Sequence, residues 1–131
     1  MKAEEVFAVV DRHFNFETPE LIDRVCETFA DTILWEAPAR NLVFTEHDKI
    51  ADHYRKIVAG ILPPIKEEKI RRFASGNEAF DDRIIYFTAG KDNVWGVPAG
   101  KKVKLRLVHY FQIQGDKICH EVGYEMWQIV S

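Results

Sequence analysis

The sequence predicts an α+β fold in which helices pack on one face of a strongly curved, mostly antiparallel sheet. Three observations predict it. The chain opens with apolar residues at helical spacing, broken by one short alternating stretch. From Lys69 onward its segments read as extended. Its last third, Gly100–Val130, alternates with a period of two along two long strands joined by one tight turn.

In Ala3–Phe14, residues Val6, Val9, Val10, His13 and Phe14 fall on one stripe of a first helix. Thr18 can cap a second helix with Pro19 in its first turn, where a missing N–H costs nothing, and Leu21, Ile22, Val25 and Phe29 supply its stripe. Asp31–Pro38 then alternates Ile33, Trp35 and Ala37 against Leu34 and Glu36, an edge or short strand ended by a proline that cannot donate to a ladder. Thr45-Glu46-His47-Asp48 fits a capping box with Asp in place of the usual Glu. Ile50, Tyr54, Ile57, Val58 and Ile61 follow at helical spacing, until Gly60 and Pro63-Pro64 stop a third helix. Lys69–Ser75, a Gly76-Asn77 turn and Ala79–Ala89 continue as strands into a loop through Trp95-Gly96-Val97-Pro98.

The final hairpin turns at Gln114-Gly115-Asp116-Lys117. On its first strand Val103, Leu105, Leu107, His109, Phe111 and Ile113 share one face. On its second, Glu121, Gly123, Glu125 and Trp127 oppose His120, Val122, Tyr124 and Met126. A one-residue slip would instead turn His120 and Tyr124 inward. An imidazole among branched and aromatic side chains is costly unless hydrogen-bonded, and carboxylates on the neighbouring strand could orient it and tune its pKa. His109, Glu121 and Glu125 are therefore the candidate proton-handling groups. Gly123 leaves room for a ligand or a bend, and Phe111 lines the same face. The competing readings are a satisfied core histidine and a solvated face of glutamates.

At 131 residues the chain makes a single domain, residues 1–131. A net charge of −3 with scattered Lys and Arg offers no basic stripe for nucleic acid. No apolar run approaches the roughly 20 residues of a membrane helix, and the acidic, amphipathic start is unlike a secretion signal, so a cytoplasmic protein without membrane contact is expected. Cys26 and Cys119 are expected to stay free as small buried hydrophobes. His47, His53 and His120 lack a second ligand at metal spacing, so neither metal nor cofactor is assigned.

Four stretches carry a family resemblance. Phe29-Ala30-Asp31-Thr32-Ile33-Leu34-Trp35-Glu36-Ala37-Pro38, His47-Asp48-Lys49-Ile50-Ala51-Asp52-His53-Tyr54, and the pair Pro98-Ala99-Gly100-Lys101-Lys102-Val103 with Gly115-Asp116-Lys117-Ile118 occur in that order. The chain resembles the nuclear-transport-factor-2-like cone fold, most closely its SnoaL-like and ketosteroid-isomerase-like branches. That resemblance implies a cone-shaped mixed sheet with three helices on its concave face. The isomerase branch places a tyrosine, an aspartate base and a protonated aspartate where this chain has His13, Ala37 and His109, so its steroid mechanism is not expected. The polyketide-cyclase branch uses a histidine on the penultimate strand and an acid on the last, which His109 with Glu121 or Glu125 resemble. The Arg-x-Asp element of epoxide hydrolases of this fold is not evident, since Arg83-Ile84-Ile85 ends in an apolar residue.

By the same resemblance Trp35 and Tyr54 become wall residues of a ligand pocket, and His13 a further contributor from the first helix. Three classes stay open: an acid–base enzyme acting on an apolar carbonyl compound, a non-catalytic binder of a small apolar molecule, and an interaction module with a filled cavity. In the enzyme reading, Glu121 or Glu125 takes a proton and His109 polarises or protonates an oxygen. Val108, Tyr110, Val122, Tyr124 and Met126 would form an apolar patch on the outer sheet face. The resemblance implies that a second copy covers it, giving a homodimer.

Overall fold

The computed structural model describes residues 1–130; Ser131, the last residue of the expected domain, lies outside the described residues. Helix α1 (Ala3–Asn15) is followed by a 3-10 helix (Ile22–Thr28), strand β1 (Phe29–Ala37), a 3-10 turn (Pro38–Arg40), β2 (Leu42–Phe44) and helix α2 (His47–Ala59). Then come β3 (Ile61–Ser75), β4 (Glu78–Ala89), β5 (Lys102–Gln114) and β6 (Lys117–Ile129). The strands form one curved, unclosed sheet in the order β2-β1-β6-β5-β4-β3. β1 runs parallel to β6 and the other neighbours run antiparallel.

The helices lie against one sheet face because their apolar stripes meet its inward row. Val6 and Val10 of α1, Ile22 and Val25 of the 3-10 helix, and Ile50 and Tyr54 of α2 join Ile33, Trp35, Phe111, Ile113 and Ile118 in one core. Each large apolar side chain so enclosed contributes about 1.5–3 kcal/mol relative to leaving it in water. A second cluster at the other end gathers Phe87, Trp95, Val97, Val103 and Leu105. There Asn93 shapes the loop before β5: its Nδ2 donates to the carbonyls of Gly90 and Val97, and its Oδ1 accepts from the backbone N–H groups of Trp95 and Val97. A Cβ on Gly60 would come within 2.7 Å of Asn93 Cβ, so this loop seats directly on the end of α2.

Several expectations are corrected. The second helix is a 3-10 helix, not an α-helix, and Phe29 belongs to β1. Its buried residues Ile22, Val25 and Thr28 recur every third position, the repeat at which 3-10 side chains eclipse. β1 is not an edge strand, because the short β2 pairs outside it, Trp35 opposite Phe44. No capping box forms at α2, which takes Glu46 as its N-cap without a side-chain cap bond. β3 begins at Ile61, before Lys69; its first half is mostly exposed and contains a cis Pro63-Pro64 bond, so no alternation marks it. Cys26 and Cys119 are free but only half-buried.

The final hairpin pairs in the expected register: Leu107 opposite Glu125, His109 opposite Gly123, Phe111 opposite Glu121. His109, Phe111, Ile113 and Glu121 are buried, whereas Tyr124 and Met126 are exposed, so the slipped register does not occur. Between Ile118 and His120 the pairing shifts by one, leaving Cys119 as an extra, bulged residue. Val122 does not belong to an exposed patch. It is buried between Tyr110 of β5 and Glu36 of β1, and Glu36 itself accepts a hydrogen bond from His120 Nε2 at 2.7 Å. No helix among the described residues is long and apolar enough to cross a membrane.

Candidate active site

Between the helices and the sheet lies a cavity of about 200 Å³. Its walls are mainly apolar, with Phe14, Trp35, Ile57, Val58, Leu105 and Leu107 contributing, and exposed Ile65 lies at its edge. Into this apolar lining project His109, Glu121 and Glu125 from the hairpin, Arg83 from β4, Glu67 from β3, Arg40 after β1 and Glu17 after α1. Trp35, Tyr54 and Gly123 also line it. His13 and Phe111 stand behind the wall, each with no accessible surface.

At the deep end, hydrogen-bond bookkeeping fixes where the protons sit. Thr28 donates its hydroxyl proton to the Val25 carbonyl (2.7 Å), so it can only accept from His13 Nδ1 (2.9 Å). Tyr54 donates to Glu121 Oε2 (2.8 Å), and its oxygen accepts from Trp35 Nε1 (3.0 Å), leaving a lone pair for His13 Nε2 (3.1 Å). Both imidazole nitrogens of His13 therefore donate, and His13 is the charged partner of Glu121 at 3.2 Å. Burial opposes charge on His13, but the charge and hydrogen bonding of Glu121 outweigh it and raise its pKa. Burial likewise opposes charge on Glu121, and His13, His109 and the Tyr54 hydroxyl outweigh it and hold the carboxyl low. Burial pushes the Tyr54 hydroxyl well up, so it keeps the proton it donates.

His109 stands apart from this network. It is 8% exposed, stacks on Phe111 and meets Phe14 edge-on. Its Nδ1 has no partner among the described residues, and its Nε2 lies 3.9 Å from Glu121 Oε2, too far for a direct hydrogen bond. Burial, with the positive charges of His13 and Arg83, lowers its pKa against the pull of Glu121, so the ring is neutral. These directions exchange the roles expected of the pair. Glu121 is a poor base, while neutral His109 can take a proton and Glu121 can steady the imidazolium that results.

Glu125 is held differently. Its Oε1 accepts from Arg40 Nε (2.7 Å) and its Oε2 from Trp95 Nε1 (3.0 Å), and both charged side chains are more than nine-tenths buried. Arg40 Nη1 also donates to His53 Nε2 (2.7 Å). Burial, then the charges of Arg40 and Lys56, push His53 down to about 4, so it accepts as a neutral ring.

Sequence reasoning missed Glu17, Arg40, Asp81, Arg83 and Trp95. The order Asp81-x-Arg83 was legible in principle: residues two apart on a strand share a face, and Arg83 meets Asp81 through Nε (2.6 Å) and Nη2 (2.9 Å). Arg83 also donates to Glu67 (3.0 Å) and lies 3.9 Å over the ring of Phe14. The Glu17 carboxyl is pushed up to about 7, first by burial, against His13 and Arg83 and with the help of Glu121 and Glu67.

A curved, unclosed sheet roofed by helices, with a cavity lined by charged and apolar side chains between them, is the architecture of the cone fold. Residues 9–121 match the sequence profile of the SnoaL-like domain, and the chain belongs to that family. No curated protein matches it. Among solved structures it is similar to a Jannaschia sp. CCS1 protein described as a SnoaL-like polyketide cyclase, at 12% identity over 94% of this chain and 86% of that one, with a TM-score of 0.80. It is also similar to SalBIII, an epoxide hydrolase/cyclase-like enzyme of pyran ring formation in the polyether salinomycin, at 16% identity over 96% of both chains and a TM-score of 0.76. An LEH-like epoxide hydrolase of M. tuberculosis gives 15% identity over 95% of this chain and 84% of that one, with a TM-score of 0.71. At these identities the likeness is one of fold.

Proposed function

We propose that this SnoaL-like protein is an acid–base enzyme of cyclase or isomerase type, moving a proton on a small, largely apolar carbonyl compound. One observation carries the reading: neutral His109 and anionic Glu121 face the same apolar cavity across 3.9 Å, a gap that an atom of a bound molecule can bridge. His109 takes the proton, and Glu121, held by His13 and Tyr54, stabilises the resulting imidazolium. Trp35, Tyr54 and Gly123 bound the ligand, with His13 and Phe111 supporting them from behind. Glu125 fixes Arg40 and Trp95 in the wall. The cyclase and epoxide hydrolase/cyclase-like activities named for structural neighbours support this class of reaction. His109→Phe keeps the ring volume and removes the proton carrier. Full retention of activity, or of a ligand carried through purification and identified by mass spectrometry, would overturn the assignment.

The reading places the protein in the cytoplasm, in keeping with its two free thiols. It also places a second copy over the outer sheet face, where Tyr124 and Met126 stay exposed beside Tyr110. Tyr124→Glu is expected to shift a dimer to a monomer in light scattering. A wild-type mass of one chain at all concentrations would refute the dimer.

A further inference from the structure

Four carboxyl groups stand on the cavity wall, and three are claimed: Glu67 by Arg83, Glu121 by Tyr54 and His13, Glu125 by Arg40 and Trp95. Glu17 is the fourth; it is half-buried at the cavity, and its carboxyl makes no hydrogen bond to any described residue. It leaves the end of α1, so it reaches the cavity from the helical side, whereas His109 and Glu121 rise from the sheet. The charged groups acting on it are His13 of α1, Glu67 of β3, Arg83 of β4 and Glu121 of β6, with His109 of β5 on the same cavity. A carboxyl facing an apolar cavity without a donor is destabilised as an anion and favoured as an acid.

We propose that Glu17 is a catalytic residue, the general acid that gives its proton to the substrate's carbonyl oxygen while His109 removes one from the adjacent carbon. This rests on the proton-transfer reading of His109. As the carbon–hydrogen bond breaks, its electron pair becomes the enol double bond, and the carbonyl π pair takes the proton of Glu17. Glu17 ends as a carboxylate and His109 as an imidazolium, with one proton lost and one gained, so no further reactant is consumed. Where a carbon–carbon double bond is conjugated with the enol, isomerisation follows when His109 returns its proton to the far end of that double bond and the enol O–H returns to Glu17. Cyclisation follows when the enol carbon attacks a second carbonyl, whose oxygen takes the proton of His109, and Glu17 recovers its own. A carboxyl near 7 is suited to this work, because it is available in both forms at neutral pH.

The test is α-proton exchange of cyclohexanone in D2O, followed by NMR across pH for the wild type, Glu17→Gln and His109→Phe. The wild-type rate is expected to fall below the lowered pKa of His109 and again above about 7, where Glu17 loses its proton. Glu17→Gln should reduce exchange about 100-fold and abolish the alkaline limb while keeping the acid limb. His109→Phe should abolish exchange. A Glu17→Gln variant with the wild-type rate and profile, beside an inactive His109→Phe, overturns the role of Glu17 and leaves that of His109 standing. Wild-type exchange no faster than buffer, or an active His109→Phe, overturns the proton-transfer reading and this inference with it.

Discussion

Glu121 and Glu125 share one face of β6, with Gly123 between them, yet the fold gives them unlike company. Glu125 is fastened to Arg40 and to the indole of Trp95. Glu121 is matched to His13 and Tyr54, partners that can themselves gain or lose protons, and it has His109 close by without a bond. The difference teaches that a place on the strand does not make a carboxylate chemical. The titration behaviour of its neighbours does.

The comparison breaks most visibly at Arg40. Arg40→Met leaves Glu125 buried and without its cation, and should cost about 3–5 kcal/mol in denaturant unfolding. Adding Glu125→Gln should recover part of that loss, and a single-variant cost below about 1 kcal/mol would mean that this pair is not structural. Glu121→Gln should show the opposite balance, with cyclohexanone exchange falling about 100- to 1,000-fold. Glu125→Gln, measured per folded molecule, should fall much less; equal losses would erase the distinction.

Acid sharpens the contrast through His53, the third member of the Arg40 group. Its folded pKa of about 4 lies below the ordinary 6.5, so the unfolded chain takes up its proton first. Its contribution to stability is complete above 6.5 and is lost as pH falls from there to about 4, by up to about 3 kcal/mol. The deep pair runs on two edges. The contribution of His13, whose pKa is raised, is lost as pH rises through its folded value, and that of Glu121, whose pKa is lowered, is lost as pH falls through its own. Unfolding free energies of the wild type and His53→Gln between pH 4 and 7 should differ in slope; parallel curves would contradict this. The smallest effect belongs to Trp95→Phe, which removes one hydrogen bond to Glu125 and should cost about 1.5 kcal/mol in thermal unfolding.

The hairpin was legible because alternation holds along β5 and from Glu121 onward on β6 and its turn residues are unambiguous, so His109, Glu121, Gly123 and Glu125 fell on the correct face. α1 and α2 were legible from their stripes. The 3-10 helix was not, since Ile22 and Val25 suit either helix type. β2 is too short, and the first half of β3 too exposed, to leave a pattern. The partners of the two carboxylates were hidden by distance along the chain: Arg40 and Glu125 lie 85 residues apart, and Tyr54 and Glu121 lie 67 apart. Nothing local distinguishes an arginine that will meet a carboxylate from one that will meet water. Glu17 was invisible for the same reason, lying just past a helix end where a glutamate is ordinarily solvated.

Cys119 is the residue of β6 that has no place opposite β5. Ahead of it Ile118 faces the core, and beyond it Glu121 does, three positions on where strict alternation would give two or four. Both carboxylates, Gly123 and Trp127 keep their inward aim because that one inserted residue is bulged out of the ladder. In terms of inheritance, the pocket tolerates a change of chain length at this one place, because the bulge absorbs it. A point change at any of the four leaves the other three in place. Loss of the single codon for Cys119, with the turn at Gly115-Asp116 held, would remove the bulge and keep all four inward, whereas the same chain paired without the bulge would turn all four to the outside at once.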